Sequence, residues 1–122
     1  MYRVLVVDDE KLEREGIRFL LSMEEGEWEI YEAANGKLAL NELRKHPVDL
    51  MLTDIKMPHM DGLEATRLIR SYSKEVPIVA LTAFAFESDK DRAIEAGCDD
   101  FLTKPVSQNA LEKVLDLSLI HI

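Results

Sequence analysis

The sequence predicts an α/β domain of three layers, with helices on both faces of a five-stranded parallel sheet. Three observations carry this. Short apolar runs alternate with helical patterns five times, the joining loops are short, and the first run, Arg3-Val4-Leu5-Val6-Val7, is apolar nearly without a break. A run of that kind suits a strand buried on both faces, and strict strand–helix alternation suits a parallel sheet.

The first strand stops at Asp8-Asp9-Glu10, an acidic triplet at a helix N-terminus, where the dipole favours negative charge. In that helix Leu12, Gly16 and Leu20 recur every four residues with Ile17 and Leu21 alongside, and Met23 to Glu27 is an acidic turn. Trp28-Glu29-Ile30-Tyr31-Glu32-Ala33 alternates, as a strand near the sheet edge does. Asn35-Gly36 turns the chain into a helix over Lys37–Lys45, with Ala39, Leu40 and Leu43 on one face and Pro47 closing it.

Val48–Thr53 is the third strand, and Pro58 and Gly62 in the loop beyond it delay the next helix. That helix, Leu63–Ser73, carries Ala65, Leu68, Ile69 and Tyr72 at i, i+3, i+4, i+7 spacing. Pro77–Thr82 is the fourth strand, with proline tolerable at its first residue. Ser88–Ala96 reads as a polar helix with a thin face of Ala93 and Ala96, closed by Gly97. Asp100–Thr103 is the fifth strand, Lys104-Pro105 breaks it, Ser107 is an N-cap, and Leu111, Val114 and Leu115 mark the last helix.

At 122 residues the chain makes one domain. Its net charge of −9 argues against nucleic acid or an anionic membrane as direct partner. No apolar run approaches the roughly 18 residues of a membrane span, and the N-terminus lacks a signal-peptide pattern. The single Cys98 excludes a disulfide framework or a thiolate metal cluster and reads as a small, partly buried residue beside a turn. A reducing cytoplasm is the expected location.

Parallel sheets place functional groups beyond the carboxyl ends of their strands, at a topological switch point. The residues at those ends are Asp8 and Asp9, Asp54, Thr82 and Lys104. Taken singly, each has a plain structural role: helix start, turn former, N-cap, solvated charge. Five such residues at four strand ends of one sheet form a joint pattern that those roles do not explain. Converging carboxylates repel, by roughly 4 kcal/mol for unit charges about 4 Å apart at an effective dielectric near 20. A hard divalent cation relieves that repulsion, and oxygen ligands without His or Cys suit Mg²⁺. With Lys104 and Thr82 facing the same oxygens, the set describes phosphoryl transfer onto Asp54 as nucleophile.

These residues stand in recognisable motifs: Val6-Val7-Asp8-Asp9-Glu10, Asp54-Ile55-Lys56-Met57-Pro58 with Met60-Asp61-Gly62, Ala80-Leu81-Thr82-Ala83, and Lys104-Pro105. From about Tyr2 to Asp116 the chain resembles the CheY-like receiver domain of two-component response regulators. The resemblance implies a flavodoxin-like (βα)5 fold of strand order 2-1-3-4-5. It implies phosphorylation of Asp54 by a histidine kinase or a histidine phosphotransfer protein, with no catalysis beyond the domain's own phosphorylation and dephosphorylation. Mg²⁺ would be held by Asp9, Asp54 and the main-chain carbonyl of Lys56, with Asp8 acting mostly through water. The Lys104-Pro105 bond would be cis.

The same resemblance implies a switch. Thr82 moves to hydrogen-bond the phosphoryl group, Phe101 turns inward, and the surface of the fourth helix, fifth strand and fifth helix changes. Plain core packing is the simpler role for Phe101, whose ring lacks a tyrosine's hydroxyl. Ala83 is small enough for the movement. Lys56 and Phe84, each two residues past a site residue, occupy positions that tune hydrolytic water, and bulky Phe84 is expected to slow dephosphorylation.

The expected domain covers residues 1–116. Leu117-Ser118-Leu119-Ile120-His121-Ile122 matches the in-frame translation of a transposase mosaic-end adaptor, so these residues (117–122) are expected to be non-native and the natural protein to continue. A fraying helix end is the plainer alternative, and genomic sequence decides between them. The opening residues resemble regulators with an AraC-type DNA-binding output in cis, whereas Ala83–Lys90 through Val106 resembles receivers of hybrid histidine kinases. A stand-alone receiver would act on a partner protein, and the switch surface is a common face for phosphorylation-dependent homodimers. Two rival readings differ in class. One is a phosphate-independent interaction module on the same fold. The other is a phosphatase resembling the haloacid dehalogenases, which needs a second Asp two residues after its nucleophile, where this chain has Glu10 after Asp8.

Overall fold

The computed structural model describes residues 2–55, 62–72, 75–82 and 87–119. Its elements are β1 (Tyr2–Val7), α1 (Lys11–Ser22), β2 (Trp28–Ala33), α2 (Gly36–Lys45), β3 (Leu50–Asp54), α3 (Gly62–Tyr72), β4 (Ile78–Thr82), α4 (Glu87–Ala96), β5 (Asp100–Thr103) and α5 (Gln108–Leu119). The strands form one sheet of order β2-β1-β3-β4-β5, and every neighbouring pair is parallel. This is the three-layer, flavodoxin-like arrangement that the sequence implies.

Side chains of a strand alternate between faces, and here the alternation sorts the core into two layers. Leu5, Val7, Met51, Ile78 and Ala80 meet Ala39, Leu40, Ile69, Ala93 and Ala96 of α2, α3 and α4. Val4, Val6, Leu50, Leu52, Val79 and Leu81 meet Ile17, Leu21, Leu111, Val114 and Leu115 of α1 and α5. Burial on both faces is why β1, β3 and β4 need almost unbroken apolar runs. β2 lies at the sheet edge, and five of its six residues are only partly buried.

The chain crosses from β1 to β2 on one side and returns to β3 on the other, so β1 and β3 flank the switch point. Asp54 is the last residue of β3, and Asp8 and Asp9 follow β1 directly.

The helix faces differ from the expected ones at two points. Leu12 is 79% exposed and Gly16 lies at the surface, while Ile17 and Leu21 are buried. Leu12 precedes Ile17 by five residues, which is about 140° around the helix, so both cannot face the sheet. In α3 the buried residues include Ala65, Thr66 and Ile69, and Leu68 is exposed. The polar Thr66 is tolerated because its hydroxyl lies 3.7 Å from the Cys98 sulfur. The side chain of Tyr72 lies outside the described residues.

Local signals account for the helix ends. The Asn35 side chain accepts the Leu38 N–H at 2.9 Å, so α2 starts at Gly36, one residue early. The Ser107 hydroxyl accepts the Ala110 N–H at 3.1 Å. Gly97 closes α4 with φ +111°, a conformation that favours glycine. β3 starts at Leu50 rather than Val48, where the Asp49 carboxylate accepts the Arg3 N–H at 2.7 Å. α5 runs on to Leu119, which is buried.

Candidate phosphoryl-transfer site

The carboxyl ends of β1 and β3 bring three carboxylates together. Asp8, Asp9 and Asp54 each offer an oxygen, and the three lie within 4.8 Å of one another. Asp8 is buried, Asp54 is half-buried and Asp9 is exposed. The backbone holds this corner from both sides. Asp8 N–H donates to the Ala33 carbonyl of β2 at 3.0 Å, and Ile55 N–H to the Leu81 carbonyl of β4 at 3.3 Å. The hydroxyl of fully buried Thr53 donates to the Asp54 carbonyl at 2.9 Å.

Lys104 reaches the same corner from the end of β5. Its Nζ lies 2.7 Å from Asp8 Oδ2 and 3.5 Å from Asp54 Oδ2. Burial works to lower the lysine pKa, but the hydrogen bond to Asp8 and the charges of Asp54, Asp8 and Glu13 outweigh it and hold the ammonium above its ordinary value. The other Asp8 oxygen, Oδ1, accepts the Glu10 N–H at 3.0 Å. Asp8 is therefore an anion whose burial is matched by a cation and a main-chain donor.

Thr82 ends β4 one residue past Leu81, the register partner of Asp54, and is buried. Its carbonyl accepts the Lys104 N–H at 2.7 Å, which ties the two strand ends together. Phe101 of β5 is partly buried and packs against the layer of core formed with α2, α3 and α4. The Lys104–Pro105 bond is cis. Lys56, Ala83 and Phe84 lie outside the described residues.

One contributor is invisible in the motifs. Arg14 donates from Nη1 to the Asp8 carbonyl at 2.7 Å and from Nε to Glu32 Oε1 at 3.1 Å. A signal did exist: a cation near the N-terminal end of a helix opposes the dipole, so it calls for a specific partner.

The donor set fits a hard divalent cation. It is all oxygen, carries three formal negative charges, and is only partly neutralised by Lys104.

The response regulator receiver domain model matches residues 4–116. The chain belongs to that family. Two-component response regulator ORR41 of Oryza sativa subsp. japonica is 43% identical over 117 residues, covering 94% of this chain and 92% of that protein. The receiver domain of sensor histidine kinase PA1611 from Pseudomonas aeruginosa PAO1, solved with a magnesium ion coordinated in its active-site cleft, is similar at TM-score 0.85 and 31% identity, covering 96% of each chain. A chain of the co-crystal structure of Saccharomyces cerevisiae Ypd1, a histidine phosphotransfer protein, with the receiver domain of Ssk1 is similar at TM-score 0.86 and 30% identity, covering 98% of this chain and 90% of that one.

Some relatives are much longer. The chain spans 13% of one sensor histidine kinase that it matches and 12% of another. Receiver domains bind Mg²⁺ in an acidic site and interact with histidine kinases and phosphotransfer proteins. This one carries such an acidic cluster at its switch point, and no helix among its described residues is long and apolar enough to cross a membrane.

Proposed function

We propose that this receiver domain accepts a phosphoryl group on Asp54 from a phosphohistidine of a kinase or phosphotransfer protein. The observation that carries this reading is the Lys104 ammonium set between Asp8 and Asp54, with Asp9 alongside. A carboxylate oxygen of Asp54 attacks phosphorus, the P–N bond to the donor imidazole breaks, and its electron pair stays on the imidazole nitrogen. The product is an aspartyl phosphate.

The chain's own groups serve that step. Lys104 offers a cation to the phosphoryl oxygens, and the hydroxyl of Thr82 donates to one of them. Asp8, Asp9, Asp54 and the main-chain carbonyl of Lys56 would hold Mg²⁺. Bound there, the ion would neutralise charge on the phosphoryl oxygens and relieve repulsion among the carboxylates. Thr82 and Phe101 then shift together, altering the α4–β5–α5 surface that an output domain in cis, a partner protein or a second copy reads. A cytoplasmic location fits a kinase or phosphotransfer donor.

Incubation with acetyl phosphate and Mg²⁺, followed by intact-mass measurement, tests the reading. It requires a single phosphoryl adduct that Asp54→Asn abolishes. An absent adduct in the unaltered protein would leave an interaction module, and turnover of added phosphomonoesters would point to a phosphatase.

A further inference from the structure

Asp9 is the exposed member of the acidic cluster, so packing does not set its direction. Its backbone must. Four bonds fix the preceding residue: Asp8 N–H donates to the Ala33 carbonyl at 3.0 Å, Asp8 Oδ1 accepts from Glu10 N–H at 3.0 Å, Asp8 Oδ2 accepts from Lys104 Nζ at 2.7 Å, and the Asp8 carbonyl accepts from Arg14 Nη1 at 2.7 Å. The carbonyl belongs to the peptide plane that joins Asp8 to Asp9, so whatever holds that oxygen also sets the rotation at which Asp9 leaves the strand. Of the four bonds, only the one from Arg14 acts on that plane directly, and its donor is a cation.

Arg14 is itself held. Glu32 of β2 accepts from Arg14 Nε through Oε1 at 3.1 Å and from Arg18 Nη2 through Oε2 at 2.9 Å. Burial tends to raise the Glu32 pKa, but the hydrogen bonds from Arg18 and Arg14 outweigh it and keep the carboxyl below its ordinary value. The planar guanidinium thus bridges a fixed anion on β2 and the peptide at the end of β1. An ammonium, a single point donor, does not hold that fork.

We infer that Arg14, anchored by Glu32, is a positioning residue for the metal-binding carboxylates, aiming Asp9 through the Asp8–Asp9 peptide. The inference rests on the proposed role of Asp8, Asp9 and Asp54 in holding a divalent cation. It carries a sign that distinguishes it from plain electrostatics. Removing a positive charge beside an acidic site should tighten cation binding, whereas losing the orientation of a ligand should weaken it.

The experiment is calorimetric titration of MgCl₂ into the phosphate-free protein, with amide ¹H–¹⁵N spectra of the metal-free state. Arg14→Ala is expected to weaken Mg²⁺ binding about tenfold, the scale of a lost partner that orients a ligand. Arg14→Lys, which keeps the charge, should weaken it by a smaller factor and keeps the test valid if the alanine variant fails to fold. In both, the Asp9 and Glu10 amide signals should move before any metal is added. Arg18→Gln removes the other Glu32 contact without touching Asp8, so it should lower stability and leave Mg²⁺ affinity as it was. Tighter or unchanged binding in Arg14→Ala overturns the inference, and where that variant does not fold, unchanged binding in Arg14→Lys does so. Equal weakening in Arg18→Gln also overturns it, by showing a general loss of structure. If the unaltered protein fails to bind Mg²⁺, the metal reading falls and the inference falls with it.

Discussion

Lys104 Nζ stands 2.7 Å from Asp8 Oδ2, joining residues 96 positions apart in the chain. Asp8 is 2% exposed, so the pair is the main compensation for a carboxylate taken out of water. Removing one partner of a buried pair costs more than the pair itself contributes, because a bare charge remains. Lys104→Met should therefore lower the stability of the metal-free protein by about 2 kcal/mol, discounted from a fully buried pair because Lys104 is partly exposed. Urea unfolding in EDTA measures this, and Mg²⁺ should restore much of the loss. An unchanged midpoint in EDTA would show that the pair contributes nothing.

The same lysine predicts how stability depends on pH. Burial disfavours its charged form, but the Asp8 hydrogen bond and the nearby Asp54, Asp8 and Glu13 charges win, so the folded pKa lies above the ordinary 10.5. The group binds its proton more tightly when folded, so its contribution is fully present below 10.5 and is lost as pH rises through the folded value. Metal-free protein should lose stability in that alkaline window more steeply than Lys104→Met does. Parallel curves for the two proteins, measured by chemical unfolding from pH 9 upward, would contradict the assignment.

Asp54→Asn should act in the opposite direction. Three carboxylates with oxygens within 4.8 Å repel, and Lys104 offsets only part of that repulsion. At an effective dielectric near 20 one such pair costs roughly 3 kcal/mol, so neutralising Asp54 should stabilise the metal-free domain by about 1 kcal/mol. For a domain of this size that is a rise in Tm of roughly 3–5 °C. Mg²⁺ should then raise the Tm of the unaltered protein more than that of the variant. A variant that melts lower in EDTA would mean that Asp54 makes net favourable contacts when metal-free.

How far the sequence can be read follows from which forces act locally. The run Val4–Val7 follows from apolar pattern alone, because a strand buried on both faces needs an apolar side chain at every position. The register of Asp54 against Leu81 does not, because strands apolar on both faces look alike after a one-residue slip. The assembly of Asp8, Asp9, Asp54 and Lys104 follows from strand ends and the switch-point rule. The inward face of α1 did not follow. Leu12 has the same spacing from Gly16 as Ile17 has from Leu21, and only docking against the sheet chooses between the two series. Arg14 shows in the sequence only as a cation opposing the helix dipole, because its partners, the Asp8 carbonyl and Glu32, are a main-chain atom and a residue on another strand. Arg70 is a third case, bonding from α3 to the Val76 carbonyl in the loop before β4 and to the Gly97 carbonyl and Asp99 carboxylate in the loop before β5.

That Arg70 hub makes Gly97 sensitive. A Cβ at Gly97 would lie 2.6 Å from Arg70 Cγ, and φ there is +111°. Gly97→Ala combines backbone strain with displacement of Arg70, so it should cost about 2 kcal/mol and lower Tm by roughly 5–10 °C. Gly16→Ala makes the contrast, since its Cβ would meet nothing within 4 Å inside a regular helix. That change should stabilise the domain by up to about 1 kcal/mol. Equal melting shifts of the same sign would refute this account of the two glycines.

Cys98 supplies a probe of how the α3–α4 side opens. It is 5% exposed, lies 3.7 Å from Thr66 Oγ1, and follows the turn that Gly97 forms. Burial pushes its thiol pKa up more than the Thr66 hydrogen bond and the Arg70 charge pull it down, and Asp99 adds to the rise. Both inaccessibility and a scarce thiolate slow attack on an alkylating reagent. Native protein at pH 8 should react with iodoacetamide at least about 100-fold more slowly than protein in guanidinium, with modification passing through local opening. Arg70→Ala should speed native modification well before it changes the rate in denaturant, because it frees the Gly97 turn while leaving the unfolded thiol unaltered. Equal rates in native and unfolded protein would place Cys98 at the surface and contradict its packing.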